Sequence, residues 1–459
     1  MDARTAALRA LGDLREGRRT AREAIETLVD HCGLPARERP LALELVAGVV
    51  RHRLTLAAIL AHYTRHRWKH VSRRLQHVLM LGAYQILWLD SVPVFAAVNE
   101  AVNQAKAEGG TRAGQFVNAV LRQLERRIDR RRLATGEAAP ARSIPIDRTI
   151  SCQLADPILA DPANRPIDYW SQATSHPAWL VSRWMDAYGP DRTATICRSG
   201  ILRPPVFIRP NPLKTDPATL LNLLAEAGLG PQPTPDGQSI LIEHTALLND
   251  SPLLAAGLFQ PQDPTATLPV SRMNLRPGQT VFDLCAGLGT KTTQMVEAMR
   301  DEGRILATDL DEGRLAGQAE VLRRQGYASV EIVPIGEIET RAASAAPPDW
   351  ILVDAPCTNS GVLARRPEVR YRITIQSLLK LSQVQSGLLE QVARMAGPQT
   401  RIMYSTCSID PEENEQVCAR FLQAHADWQL VDSALTLPDA GDTPVEWHDG
   451  GYWAVLARA

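Results

Sequence analysis

The chain is 459 residues long, has few aromatic side chains (5%), is almost neutral at a formal net charge of −1, and carries seven cysteines, none in a Cys-x-x-Cys pair. Cysteines this sparse and unpaired favour neither a disulfide framework nor a zinc site, so a metal-free protein of a reducing compartment, the cytoplasm, is expected. Long apolar runs are missing as well. The greasiest stretch, Val78 to Leu89, is interrupted by Tyr84 and Gln85 and is too short to span a bilayer. The opening Met1-Asp2-Ala3-Arg4 has no apolar segment of the kind that directs export, and the expectation is a soluble protein.

The near-zero net charge hides an asymmetry. From Met1 to Thr135 there are 23 Lys/Arg against 13 Asp/Glu, a surplus of +10, which leaves −11 for the remainder. A basic front end on an acidic body reads as a footprint for a polyanion, most simply nucleic acid. The arginines cluster at Arg126-Arg127, at Arg130-Arg131-Arg132, and from Arg65 to Arg74, where Trp68 and histidines are interleaved. A merely solvated helical surface is the bland alternative.

A length prior of about 150 residues per domain gives roughly three modules. Residues 1–135 read as successive helices, with Ala6, Ala7, Leu8, Leu11 and Leu14, then Leu41, Leu43, Leu45, Val46 and Val49-Val50, at helical spacing. Gly33, Pro35, Pro40, Pro93 and Gly109-Gly110 punctuate them, predicting an all-α bundle. Residues 136–175 show little periodicity and read as a linker. Residues 176–260 alternate helix and strand, with strands at 206–209 and 239–243, as a small α+β module. From 261 to 459 the pattern is βαβ, with strands at 280–284, 304–309, 330–334, 350–354 and 401–405, predicting a doubly wound, mainly parallel sheet.

Three motifs sit at predicted strand ends. Asp283-Leu284-Cys285-Ala286-Gly287-Leu288-Gly289-Thr290-Lys291-Thr292 leaves a strand and opens a helix, where glycines let backbone N–H groups approach a ligand. Thr290 directly before Lys291 argues against a phosphate-cradling P-loop. Asp309 ends the next strand, where a carboxylate can accept from ribose hydroxyls, so an adenosine-containing cofactor is the natural candidate. Cys357, in Asp354-Ala355-Pro356-Cys357-Thr358, and Cys407, in Tyr404-Ser405-Thr406-Cys407-Ser408, each follow a strand. Asp410-Pro411-Glu412-Glu413 after Cys407 reads as a helix start with Glu413 closing a capping box, which would put the thiol near a helix amino terminus. Asp354 is placed to hydrogen-bond a ring nitrogen of a cytosine. Cys285 and Cys418 read as core residues, and Cys32, Cys152 and Cys197 have no supporting context.

At these residues the chain resembles the RNA 5-methylcytosine methyltransferases, particularly those of bacterial small-subunit ribosomal RNA. Tyr404 to Ser408, with Pro411-Glu412-Glu413-Asn414, matches the family's second cysteine motif letter for letter, and Asp354 to Thr358 is similar to its Asp-Ala-Pro-Cys-Ser. Gly361-Val362-Leu363-Ala364-Arg365-Arg366 and Asp449-Gly450-Gly451-Tyr452-Trp453 are similar to further family stretches. Gly82-Ala83-Tyr84-Gln85, Ala97 to Val102 and Phe116 to Arg122 resemble a NusB-type RNA-binding domain. The cofactor loop departs from the pattern: Gly287-Leu288-Gly289-Thr290 stands where the family has Ala-Pro-Gly-Gly.

The resemblance implies a NusB-like helical domain joined through the α+β module to a Rossmann-like domain that uses S-adenosylmethionine. The cofactor would lie over Cys285, Ala286, Gly287, Leu288, Gly289, Thr290 and Lys291, with its ribose on Asp309; Arg314, Glu337 and Asp354 complete the expected set, Glu337 toward the adenine. Cys407 would attack C6 of a cytosine, Asp354 would hold the base, and Cys357 would assist release. The implied partner is 16S ribosomal RNA before full assembly, acted on by a monomer. Rival readings are a tRNA methyltransferase, a DNA cytosine methyltransferase, which has no use for a second cysteine, and a non-catalytic ribosome-assembly factor.

Overall fold

The computed structural model describes residues 1–14, 21–64, 68–137, 139–343 and 346–459. They form two units, one of Met1–Arg203 with Leu363–Arg372 and one of Pro204–Val362 with Ile373–Ala459. No described helix is long and apolar enough to cross a membrane.

The first unit opens with helices Ala3–Asp13, Ala21–Cys32, Arg39–Arg51, Arg53–Tyr63, Arg73–Trp88 and Val94–Arg126. Their apolar stripes meet in one core that includes Leu45, Leu56, Ile59, Leu79, Val117 and Leu121, each fully buried. Helices Arg73–Trp88 and Val94–Arg126 approach closely at Gly82, where a Cβ would lie 2.6 Å from Leu121 Cδ1. Gly109-Gly110, expected between helices, breaks the run Val94–Arg126 into two helical segments with non-helical backbone, Gly110 standing at φ +71°. Pro40, also expected between helices, falls inside the first turn of Arg39–Arg51, where its missing N–H costs nothing.

Residues 136–175, expected as a linker, are built into this unit. Ile150–Leu154 is the central strand of a three-stranded sheet, pairing antiparallel with Ile128–Ala134 on one side and Ser143–Pro145 on the other, and helix Pro166–Thr174 follows. Ile144, Cys152 and Leu154 are buried in the helical core. The strands are short and Ile128–Ala134 is irregular in register, so no alternation runs long enough to show in the sequence.

The basic cluster is also more structural than its charge implied. Arg131 and Arg132 donate to the carbonyls of Ile86 and Leu87 and pair with Asp90, closing the carboxyl end of helix Arg73–Trp88. Arg127 pairs with Asp156. Arg126 and Arg130 remain exposed, and Arg65 and Arg67 lie outside the described residues.

The second unit contains a four-stranded antiparallel sheet in the order 231–233, 240–242, 206–210, 259–261, covered by helix Pro217–Glu226, whose first N–H groups are capped by Asp216. The edge strand Phe259–Pro261 runs one residue past the module boundary expected at 260. Helix Ala178–Ile201, expected with the same module, belongs to the first unit. Arg209 leaves this sheet to make a two-pronged buried ion pair with Glu297, at 3.0 and 3.1 Å, on helix Thr290–Ala298.

The rest of the unit is a seven-stranded sheet: β1 (Thr280–Asp283), β2 (Arg304–Ala307), β3 (Val330–Ile332), β4 (Trp350–Asp354), β5 (Arg401–Thr406), β6 (Trp428–Thr436) and β7 (Gly451–Arg458), in the spatial order β3-β2-β1-β4-β5-β7-β6. β1 to β5 are parallel, while β7 runs antiparallel to both β5 and β6. Both faces are buried: Phe282, Ile351, Val353, Ile402 and Tyr404 point to one core, and Val281, Ile305, Leu352 and Met403 to the other. That is why these strands read as continuous apolar runs. The order in which strands are added reverses between β1 and β4, and in open sheets of this kind ligands bind beyond the carboxyl ends of the strands at such a switch point.

Candidate active site

Strand register brings the two thiols together. Asp354, the last residue of β4, lies opposite Ser405 of parallel β5, so Cys357 and Cys407 stand three and two residues beyond a matched pair. Their sulfurs are 3.2 Å apart. Both side chains are partly exposed.

The loops that carry them are stitched together. Gly361 N–H donates to the Cys407 carbonyl at 3.0 Å, Ile409 N–H donates to Ser360 Oγ at 3.0 Å, and the Ser360 and Ser408 hydroxyls are 3.0 Å apart. A Cβ at position 361 would lie 2.5 Å from the Gly450 carbonyl oxygen and 2.8 Å from that of Cys407, so only glycine fits. The capping box expected at Glu413 is not formed. Its fully buried carboxyl instead accepts from Thr358 N–H at 2.9 Å and from Gln385 Nε2 at 3.1 Å, and Thr358 Oγ1 donates to it as well. The α-helix starts only at Glu415, after a short turn over Pro411–Glu413. A local helix signal has lost to a tertiary hydrogen bond between the two cysteine loops.

Lys291, at the end of the glycine loop, pairs with Asp354. Its Nζ donates to Asp354 Oδ2 at 2.6 Å, while Ser405 Oγ donates to Oδ1 at 2.8 Å. Burial works against the Lys291 ammonium, yet the Asp354 carboxylate outweighs it and holds the pKa above the usual lysine value, with Cys407 adding to the effect. The hydrogen bond to Cys407, together with burial, pushes the Cys357 thiol well above the ordinary range, so Cys357 keeps its proton.

The glycine loop runs from β1 to helix Thr290–Ala298. Gly287 and Gly289 adopt φ +57° and +85°, and a Cβ at Gly289 would meet Gln318 at 2.7 Å. Asp309, at the end of β2, accepts from Gly287 N–H at 2.9 Å, tying the two strand ends together. Asp283 is buried beneath the loop; Thr292 Oγ1 donates to its Oδ2 at 2.7 Å, and its Oδ1 has no partner. Burial, reinforced by the nearby Asp354 and Asp309 charges, pushes Asp283 up to about 7. Cys285 is half-buried, and burial raises its thiol far above the ordinary value. Leu288, within this loop, and Leu310, after Asp309, are 62% and 80% exposed.

Two outlying expectations sit at the rim. Glu337 is exposed on the turn after β3, 3.9 Å from Arg341, and Arg314 is exposed in the first turn of helix Glu312–Gln325, 3.4 Å from Asp311. Cys152, Cys197 and Cys418 are buried away from the cluster, and the side chain of Cys32 lies outside the described residues. Among the described residues no group of His, Cys, Asp and Glu is arranged to hold a metal. One contact to the thiols had no sequence signal: Asn359 Oδ1 is 3.1 Å from Cys407 Sγ.

Comparison with known proteins adds the following. Residues 270–447 match the family model described as 16S rRNA methyltransferase RsmB/F, residues 1–126 match the NusB family, and residues 176–246 match the ferredoxin-like domain of RsmF/B-like methyltransferases. The chain is 30% identical over 429 residues to a probable ribosomal RNA small subunit methyltransferase B of Synechocystis sp., spanning 90% of this chain and 87% of the relative. It is 28% identical over 435 residues to the corresponding probable methyltransferase of Bacillus subtilis, spanning 93% and 89%. Among solved structures, the crystal structure of PH0851 superimposes with a TM-score of 0.74 at 21% identity, covering 99% of this chain and 98% of that one. NSun6 from Pyrococcus horikoshii gives 0.53 at 18% identity, covering 61% and 98%.

Proposed function

The chain belongs to the RsmB/F family of 16S rRNA methyltransferases and carries a NusB-like amino-terminal domain, and from that premise we propose that it methylates C5 of a cytosine in small-subunit ribosomal RNA through a transient bond between Cys407 and C6 of the base. The observation that carries the reading is the pair of sulfurs 3.2 Å apart, beside the Lys291–Asp354 pair and next to the glycine loop.

The residues at the loop fit S-adenosylmethionine in a Rossmann-like site. Gly287 and Gly289 leave the backbone open, Asp309 offers a carboxylate at the second strand end, and exposed Leu288 and Leu310 offer apolar surface to an adenine. The partnerless Oδ1 of Asp283 marks a buried polar position under the loop. When bound there, the cofactor supplies an electrophilic methyl group.

The chain's own residues supply the rest. C5 of a stacked cytosine is out of reach, so the base enters unpaired or extruded. Sulfur of Cys407 bonds to C6 as the C5–C6 π pair moves into a C4–C5 double bond and the C4–N3 π pair moves onto N3, which takes up the thiol proton by way of the Asp354 carboxylate. Asp354, oriented by Lys291 and Ser405, accepts from the N3 edge of the base and stabilises that charge distribution. After methylation the C5 proton departs, its electron pair reforms the C5–C6 double bond, and the C6–S bond breaks. Cys357 assists this release by protonating the departing sulfur. Bisulfite sequencing of ribosomal RNA from a strain lacking the gene tests the function: one 16S cytosine should lose its 5-methyl mark, and an unchanged pattern would refute the assignment.

A further inference from the structure

Asn359 touches both cysteine loops through one carboxamide. Its backbone sits at φ +62°, a left-handed conformation that asparagine tolerates better than other side chains. That turn folds the side chain back over its own loop, where Nδ2 donates to the Cys357 carbonyl at 2.9 Å. A backbone carbonyl only accepts, so the amide nitrogen must face Cys357 and Oδ1 must face Cys407. An amide oxygen in turn only accepts, so Cys407 supplies the hydrogen across the 3.1 Å Sγ to Oδ1 contact.

The position of Asn359 is held on both sides. Cys357 precedes it by two residues, and Ser360 and Gly361, which follow, are pinned to Ile409 and the Cys407 carbonyl. The carboxamide is therefore a fixed acceptor presented to a partly exposed thiol that also shares a hydrogen bond with Cys357 at 3.2 Å.

Resting on the reading of Cys407 as nucleophile, we propose that Asn359 is a positioning residue for it. The carboxamide selects the side-chain rotamer of Cys407 and draws the S–H toward Oδ1, which leaves sulfur lone pairs free to meet the base. In the resting protein it also holds the sulfur back from adventitious electrophiles.

Asn359→Gly is the informative variant, because glycine adopts φ +62° without strain and only the carboxamide is lost. Two rates are read: kcat for methyl transfer to the RNA, and the rate at which iodoacetamide modifies Cys407 in the RNA-free protein, followed by peptide mass spectrometry. A positioning role predicts kcat lower by roughly three- to tenfold, as for one lost hydrogen bond, KM for S-adenosylmethionine unchanged, and alkylation of Cys407 faster than in the parent. A purely structural role would lower Tm and slow both reactions together. That outcome, or two unchanged rates, overturns the proposal. Cys407→Ala run in parallel separates the two levels: methyl transfer surviving in that variant refutes the nucleophile assignment itself, whereas its loss alongside a silent Asn359→Gly refutes only the role of Asn359.

Discussion

Cys357 and Cys407 share a hydrogen bond across 3.2 Å although fifty positions separate them in the chain. Parallel pairing of β4 with β5 makes this possible, and the hydrogen bond with burial keeps the proton on Cys357. In the proposed mechanism Cys407 is then the sulfur that adds to the base. Cys407→Ala should reduce methyl transfer below detection while S-adenosylmethionine binding, followed by titration calorimetry, stays within about threefold, since nucleophilic and binding contributions are separable. Normal turnover by this variant would remove the covalent mechanism.

Cys357→Ala should trap the reaction at its second half. A protein–RNA species that survives denaturing electrophoresis is expected, because elimination lacks its proton donor while addition does not. Retained activity with no such species would leave Cys357 a packing residue.

Lys291→Met removes the charge partner of Asp354. The expected result is a fall in single-turnover rate of about ten- to a hundredfold, the scale of a misoriented group at the reacting centre, and Lys291→Arg should not restore it because a forked guanidinium does not replace a compact ammonium. An unchanged rate would mean that Asp354 needs no help to face the base.

The ion pair between Arg209 and Glu297 predicts a stability effect apart from chemistry. Arg209→Met leaves Glu297 buried without its partner and should destabilise the second unit by about 3–5 kcal/mol in urea unfolding. Arg209→Met combined with Glu297→Leu should recover most of that loss. Failure of the double variant to recover would point to Tyr327, which donates to Glu297 at 3.3 Å, as the group left stranded.

Asp283 gives a pH signature. Its carboxyl rises from 3.8 to about 7 on folding, so its contribution to stability is fully present below pH 3.8 and is lost as pH climbs through 7. Asp283→Asn mimics the protonated form. The stability advantage of the variant, followed through Tm, should grow between pH 4 and 7 and then level, amounting to a few kcal/mol at most. A constant difference across that range would show that the carboxyl titrates normally.

Much of this was legible in the sequence, for stated reasons. The parallel strands are apolar on both faces, and their ends carry Asp283, Asp309, Asp354, Cys357 and Cys407, so strand prediction and motif position coincide. Other parts escaped because they are decided by distant residues. Asp410 to Glu413 spells a helix cap, yet Thr358 captures Glu413. Arg131 and Arg132 look like an anion-binding surface, yet a helix end 45 residues earlier uses them. Asn359 is a single polar residue in a loop, and nothing local announces its left-handed turn. The strands within 136–175 are too brief to carry a period.

The ten residues Leu363–Arg372 follow directly on the loop of Cys357 and yet belong with the helices of the first unit, where Arg370 is fully buried, donating to the carbonyls of Gly200 and Thr174, and Tyr371 donates to that of Val50. The polypeptide thus crosses from one unit to the other three times, and no single cut can part them. Removing residues 1–203 would strand this strip without its sockets, so a version of the chain lacking its front module needs the strip redesigned as well.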